Sequence, residues 1–238
     1  MKTAISVELI PRSKESLLAD AAIAAHYPEV THLNVTDLER FPMRSVEAVR
    51  ILRKKYGDRF IYVPHIRAAV PSFNTRAYSG DIALVIHGDD TTPGAGEVVS
   101  STEYIAILSM RIRTMAGLDP YRSSLKSELA YIDEKRKAGA TGFFTQPFFS
   151  YEHLLFWDSM LPPDCDIFYG VSPVTTEKSL IYWREKNNAV FPPHFSTTLS
   201  DQVAFAQKVI RFAKWKGRSA YLMPIRTPLA EYLEKVFA

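Results

Sequence analysis

An acidic residue stands inside the first apolar run of the chain, where it could serve as a catalytic acid. Glu8 lies between Val7 and Leu9, in a segment with the composition of a β-strand. Burying a carboxyl group raises its pKa, so a buried Glu8 could act as a general acid near neutral pH. The alternative is a structural ion pair, for example with Arg12. The spacing alone leaves these two interpretations open.

Further polar residues stand where predicted strands end. Gln146 closes a short apolar run and is followed by Pro147, which cannot continue a central strand. His65 and Asp89 follow two other runs. In a parallel α/β barrel the carboxyl ends of the strands carry the chemistry, so these side chains are candidates for a site. Each also has a structural interpretation: a capping glutamine, a hydrogen-bonding histidine and a turn aspartate.

The chain alternates β-type runs with helical runs, which predicts parallel strands joined by crossover helices. Eight strands are predicted, at Ala4–Ile10, His32–Thr36, Phe60–His65, Asp81–His87, Arg111–Gly117, Thr141–Gln146, Asp166–Ser172 and Ser219–Ile225. The predicted helices are Lys14–His26, Ser45–Tyr56, Glu97–Met110, Ser123–Lys137, Tyr151–Met160, Glu177–Asn187, Ser200–Lys216 and Pro228–Phe237. The segment Ile66–Gly80 is predicted as a loop with a weak helix, and Arg111 and Arg113 are unusual for a buried strand.

This alternation predicts a (β/α)8 TIM barrel formed by one domain, residues 1–238, a length typical of that fold. The alternative is an open doubly wound sheet, but no Gly-x-Gly-x-x-Gly follows any predicted strand. A net charge of +3 does not indicate nucleic-acid binding, and no apolar run reaches the length of a membrane span. The lone Cys165 suits a reducing cytoplasm, and the scattered histidines exclude a zinc site.

Several motifs, in order along the chain, resemble those of the methylenetetrahydrofolate reductase family. The main one is Lys-x-x-Ala-Gly-Ala-x-x-x-x-Thr-Gln-x-Phe-Phe, carried by Lys135, Ala138, Gly139, Ala140, Thr145, Gln146, Phe148 and Phe149. The start of the chain resembles Glu-Phe-Phe-Pro-Pro-Arg at Glu8–Arg12, and the third strand resembles Pro-His-Leu at Pro64–Ile66. Gly88-Asp89 retains the end of Ala-Leu-Arg-Gly-Asp, and Arg226 ends a degraded Phe-Tyr-Thr-Leu-Asn-Arg.

The resemblance implies reduction of 5,10-methylenetetrahydrofolate to 5-methyltetrahydrofolate in one-carbon metabolism, with FAD as cofactor and NAD(P)H as electron donor. It implies that Glu8 is the catalytic acid and that Asp89 stabilises positive charge on the tetrahydrofolate substrate. It assigns substrate binding to Gln146, Asp89 and Arg226. For the flavin, it implies contacts from Thr36, His65, His87, Lys135 and Ala140.

The motifs that face the flavin in this family are altered here. His87 replaces the family's Arg, the Tyr-Pro-Glu-x-His-Pro segment is absent from Met115–Arg122, and Glu134 stands beside Lys135. These changes predict that FAD is bound weakly or not at all. The alternative function is a folate-binding or regulatory barrel without reductase chemistry, which the retained Glu8 disfavours. The sequence leaves open the choice of nicotinamide cofactor and the oligomeric state, a homo-oligomer included.

Overall fold

The computed structural model of the protein describes residues 3–68, 78, 80–87 and 100–238. Asp89 and most of the predicted loop Ile66–Gly80 therefore lie outside the described residues, as does the start of the predicted helix Glu97–Met110.

In the described part of the chain, eight parallel strands close into a barrel in sequence order. They are β1 Ile5–Leu9, β2 Val30–Val35, β3 Ile61–Arg67, β4 Ala83–Ile86, β5 Thr114–Leu118, β6 Gly142–Pro147, β7 Asp166–Val171 and β8 Ser219–Leu222. The last strand pairs with the first through Ser6 and Tyr221. The predicted TIM barrel is confirmed, and the alternative of an open sheet is wrong because pairing of β8 with β1 leaves no edge.

Helices follow the strands on the outside of the barrel. They are α1 Lys14–Ala25, α2 Ser45–Tyr56, α3 Ser101–Ser109, α4 Leu125–Lys137, α5 Tyr151–Met160, α6 Glu177–Ile181, α7 Leu199–Lys216 and α8 Leu229–Val236. The predicted helix Glu177–Asn187 is α6 followed by a π-helical turn, Tyr182–Lys186. None of the helices in the described residues is long and apolar enough to cross a membrane.

The fifth strand begins later than the sequence predicts, and the reason is electrostatic. β5 starts at Thr114, so Arg111 and Arg113 precede it. Arg113 forms an ion pair with Asp166, the first residue of β7. The cost of burying two guanidinium groups in a strand is thus avoided, because both side chains stay at the amino-terminal end of the barrel.

The centre of the barrel is mainly apolar, with polar residues gathered on one side. The interior cluster comprises Val63, Ile82, Leu84, Met115, Phe144, Phe168, Tyr221 and Met223. Within it, the rings of Phe144 and Phe168 stack with their centroids 4.1 Å apart. A larger cluster fills the layer between strands and helices. The strands β1 to β3 contribute polar side chains to the interior, among them Ser6, Asn34 and His65.

Candidate active site

Strand alternation turns Glu8 toward the inside of the barrel. Val7 and Leu9 belong to the outer apolar layer, between strands and helices. Ser6 and Glu8, one residue out of phase, make hydrogen bonds to side chains of other interior strands. The acid in the apolar run is therefore an interior residue near the carboxyl end of its strand.

A chain of hydrogen bonds crosses the polar side of the interior and ends on Glu8. The Tyr221 hydroxyl donates to Oε2 of Glu8, and its oxygen lies 3.5 Å from Nε2 of His65. The same Nε2 lies 3.1 Å from Oδ1 of Asn34. The amide nitrogen of Asn34 donates to Oγ of Ser6 at 3.1 Å. Since an amide oxygen only accepts, Nε2 of His65 carries its proton.

Burial sets the proton affinities along this chain. It raises the pKa of Glu8 from its ordinary 4.5 to about 7, against the opposing effect of the Tyr221 hydrogen bond. It lowers the pKa of His65 from 6.5 to about 4, so the imidazole is neutral at physiological pH. None of the ion pairs in the described residues joins Glu8 to Arg12. A carboxyl group with a pKa near 7 is suited to general acid catalysis.

Glu8 also faces a cavity of about 310 Å³. Arg226, predicted to bind substrate, lines the same cavity from the turn after β8. Its φ of 59° places it in the left-handed region, unusual for a residue with a side chain. Arg12 and Asp20 complete the charged part of the wall, and burial raises the pKa of Asp20. The structure thus brings the predicted acid and one predicted substrate residue together.

Gln146 lies elsewhere at the mouth, which we define as the end of the barrel formed by the carboxyl ends of the strands. Its side chain is exposed on β6, three strands around the barrel from Glu8. Beneath it, the Gly170 amide donates to Oγ1 of Thr145 at 2.8 Å, and the pairing of β6 with β7 shifts after Phe144. Asp89, the remaining predicted folate residue, lies outside the described residues.

Three of the predicted flavin contacts already have protein partners. Oγ1 of the buried Thr36 lies 3.5 Å from the Leu9 carbonyl oxygen. His65 is inside the barrel, in the chain that ends on Glu8. Nζ of Lys135 donates to the Gly117 carbonyl at 2.6 Å and lies 3.9 Å from the centre of the Tyr131 ring. Burial lowers the pKa of Lys135 to about 8.

The other two predicted flavin contacts are separated from each other. His87 is exposed, directly after β4 at the mouth. Ala140 precedes β6 and therefore lies at the amino-terminal end of the barrel, away from the mouth. The amide of Ala140 donates to the Lys135 carbonyl oxygen at 3.0 Å, so Ala140 lies beside Lys135 and away from His87, because only residues that follow strands reach the mouth. In the described residues, the predicted set does not fit a tightly held flavin diphosphate.

Sequence reasoning missed Tyr221, which connects Glu8 to His65, and Asn34, which connects His65 to Ser6. A signal was present: polar residues recur at every second position of β1 and β2, with Ser6 and Glu8 followed by His32 and Asn34. That period places them on one face of each strand. Tyr221 gave no comparable signal, because a tyrosine in a strand is ordinary core composition.

A buried arginine at the end of β3 was also missed. Arg67 pairs in register with Ile86 of β4, directly before His87. Its NH1 lies 2.5 Å from Oε1 of Glu39, and its Nε lies 3.8 Å from Oδ1 of Asp37. Because two carboxylates balance its charge, Arg67 does not offer a free cation in place of the absent family arginine. The described residues contain no group of three or more side chains able to hold a metal ion.

Comparison with known proteins gives one family match. Residues 95–211 match the model of a family described as methylenetetrahydrofolate reductase. No curated protein matches the chain.

Similar solved structures share the barrel at low identity. One is a truncated 3-deoxy-D-arabino-heptulosonate 7-phosphate synthase from Thermotoga maritima, with 12% identity over 99% of this chain and 84% of that chain, and a TM-score of 0.57. An uncharacterized B. cereus protein has 12% identity over 99% and 65% of the two chains, and a TM-score of 0.57. A designed cube-shaped protein cage has 12% identity over 99% and 70%, and a TM-score of 0.55. These likenesses show the fold alone.

Proposed function

The chain belongs to the methylenetetrahydrofolate reductase family, and from that membership we propose that it reduces 5,10-methylenetetrahydrofolate to 5-methyltetrahydrofolate with NAD(P)H as electron donor. The observation that carries the proposal is Glu8, a carboxyl group with a pKa raised to about 7 that faces a cavity. Pure binding of folate does not require a buried acid, whereas reduction does.

The reaction needs one proton and one hydride. Glu8 gives its proton to a nitrogen of the five-membered ring of the folate, the bond from that nitrogen to the methylene carbon breaks, and an iminium cation remains. A hydride from the electron donor then adds to the methylene carbon and forms the methyl group. A Glu8 carboxyl with a pKa near neutrality is partly protonated at physiological pH, so it can supply the proton without prior activation.

The remaining predicted residues bind the substrate in this proposal. Asp89 stabilises the iminium cation, and Gln146 forms a hydrogen bond to the pterin. Arg226 lies in the cavity wall beside Glu8, where its guanidinium group suits a carboxylate of the folate tail. Catalysis then takes place in the cytoplasm, the compartment that suits a lone, buried Cys165.

We infer that FAD is held weakly or not at all, since Thr36, His65 and Lys135 are already engaged by protein atoms. The same observation supports the second candidate, a folate-binding or regulatory barrel without reductase activity. The raised pKa of Glu8 favours the reductase over this candidate.

The two candidates are separated by an assay of the purified protein. It is incubated with 5,10-methylenetetrahydrofolate and either NADH or NADPH, with and without added FAD, and 5-methyltetrahydrofolate is measured by mass spectrometry. The proposal expects product with at least one donor. Folate binding without product under all four conditions would reject the reductase and support the second candidate.

A further inference from the structure

The hydrogen-bond chain inside the barrel assigns a role to a residue outside the predicted site. We propose that Tyr221 is a positioning residue for Glu8, and that it holds the carboxyl group at the end of a buried chain formed with His65, Asn34 and Ser6. The catalytic meaning of this role rests on the proposed function. The role itself concerns the carboxyl group and is testable without any substrate.

The donors in the chain have a fixed order. Oδ1 of Asn34 accepts, so the proton of His65 is on Nε2, the atom that also faces the Tyr221 oxygen. The hydroxyl hydrogen of Tyr221 is therefore directed to Oε2 of Glu8. With Oε2 engaged as an acceptor, the acidic proton of Glu8 resides on Oε1. The chain thus determines which carboxyl oxygen is left to donate.

The chain orients Glu8 and does not conduct protons to it. Its far end, Ser6, has no exposed surface, and neither has Asn34. Tyr221 is 3% exposed and His65 8%, so every member between Glu8 and the end of the chain is buried. The proton of Glu8 exchanges on the cavity side instead. A buried network whose members all have partners is rigid, which is what a positioned acid requires.

The Tyr221 hydrogen bond also lowers the pKa of Glu8. Burial favours the protonated carboxyl group, while a donated hydrogen bond favours the carboxylate. Besides Tyr221, the charged or titratable groups of the described residues that face the surroundings of Glu8 are His65 from β3, Arg12 and Asp20 from the α1 side, and Arg226 from the turn after β8. His65 is neutral. Removing the Tyr221 hydroxyl leaves the effect of burial unopposed, so the pKa of Glu8 rises.

The test uses Tyr221→Phe, which removes the hydroxyl and keeps the ring that packs against Phe144 at 5.2 Å. The matched control is Tyr232→Phe, because the Tyr232 hydroxyl is also buried but has no hydrogen-bond partner in the described residues. The Glu8 carboxyl carbon is followed by NMR in protein labelled with ¹³C-glutamate, and its signal is assigned by its loss in Glu8→Gln.

We expect the pKa of Glu8 to rise by about one to two pH units in Tyr221→Phe, the effect of one hydrogen bond to a charged group. It should stay unchanged in Tyr232→Phe. In the folate assay of Tyr221→Phe, kcat should fall about tenfold while KM changes by no more than about twofold. The alkaline limb of its pH profile should shift to higher pH together with the pKa of Glu8. An unchanged Glu8 pKa in Tyr221→Phe would overturn the proposal, whatever the substrate is.

A measurement on the unaltered protein tests the chain even where the variant does not fold. In ¹⁵N NMR, His65 should be the neutral tautomer with its proton on Nε2 from pH 6 to pH 9. A proton on Nδ1 would contradict the chain. Absence of folate reduction would reject the proposed function alone, because neither NMR measurement depends on turnover.

Discussion

The hydroxyl of Tyr221 on the last strand donates a hydrogen bond to the carboxyl group of Glu8 on the first strand. The two residues are 213 positions apart in the sequence, and they meet at the seam where β8 pairs with β1. The environment of the acid therefore exists only when the barrel is closed. Orientation of the acid and closure of the fold depend on the same strand pair.

Glu8→Gln should abolish folate reduction while the barrel stays folded. The amide keeps an oxygen that accepts the Tyr221 hydrogen bond but has no acidic proton, so kcat should fall by two or more orders of magnitude, the usual contribution of a general acid. Steady-state kinetics and circular dichroism check this. Glu234→Gln, an exposed change on α8, is the matched control and should keep full activity. Turnover of Glu8→Gln near that of the control would remove Glu8 from the mechanism.

The same variant should be more stable than the natural protein at neutral and alkaline pH. The pKa of Glu8 is about 7 in the folded state against an ordinary 4.5. A group whose pKa is raised by folding favours the folded state below its unfolded pKa and loses that contribution as the pH rises through the folded value. The natural protein therefore loses up to about 3 kcal/mol between pH 4.5 and pH 7 that the glutamine variant does not lose.

Urea unfolding at pH 4.5, 6, 7 and 8 measures this difference. The stability gained by Glu8→Gln should be near zero at pH 4.5, should grow through pH 7 and should then level off. A difference that is constant with pH would mean that the carboxyl group ionises as easily in the barrel as in the unfolded chain.

The predicted folate residues apart from Glu8 should affect binding more than folding. Gln146 is exposed at the mouth, so Gln146→Ala removes a ligand contact without opening a cavity in the core. We expect Gln146→Ala and Asp89→Asn each to weaken the affinity for folate by roughly tenfold, the usual effect of one lost hydrogen bond. Isothermal titration with tetrahydrofolate measures this. If both variants bind and reduce folate like the natural protein, the substrate lies at another part of the barrel.

The sequence predicted the barrel well because each strand and helix carries its own periodic pattern. Helices α2 and α5 have the predicted bounds, and the interior position of Glu8 follows from strand alternation. The partner of Glu8 could not be predicted, because Tyr221 lies on β8, which meets β1 only through barrel closure. The surroundings of Lys135 could not be predicted either: the family motif predicts a flavin contact, and in the folded chain the ammonium group donates to the Gly117 carbonyl.

Gly170 of β7 should be sensitive to a single methyl group. A Cβ there would meet the Thr145 carbonyl oxygen, and would lie 2.7 Å from Cε of Met223 and 2.9 Å from the carbonyl carbon of Gln146. Two of these atoms belong to backbone and cannot move aside, so Gly170→Ala should destabilise the protein by about 1–3 kcal/mol and displace Gln146. Gly117→Ala on β5 is the control, since its nearest neighbour would be 3.5 Å away. Equal denaturation midpoints for the two variants would show that β6 and β7 are less closely packed than the structure has them.

Thr36, His65 and Lys135 already contact protein atoms, and the flavin content of the purified protein tests whether they are available to FAD. For FAD to use Lys135, the ammonium group must leave the Gly117 carbonyl and the Tyr131 ring, and the absent family arginine removes a further contact. Losing one bidentate arginine contact to a phosphate costs roughly 1.5–3 kcal/mol, or about one to two decades of affinity. We therefore expect less than stoichiometric flavin, with much of the protein colourless in its absorbance spectrum.

His87→Arg should raise the FAD affinity measured by fluorescence quenching, because it returns a guanidinium group to the exposed end of β4. Stoichiometric FAD that survives dialysis would overturn the expectation, and would mean that residues beyond the predicted set bind the diphosphate.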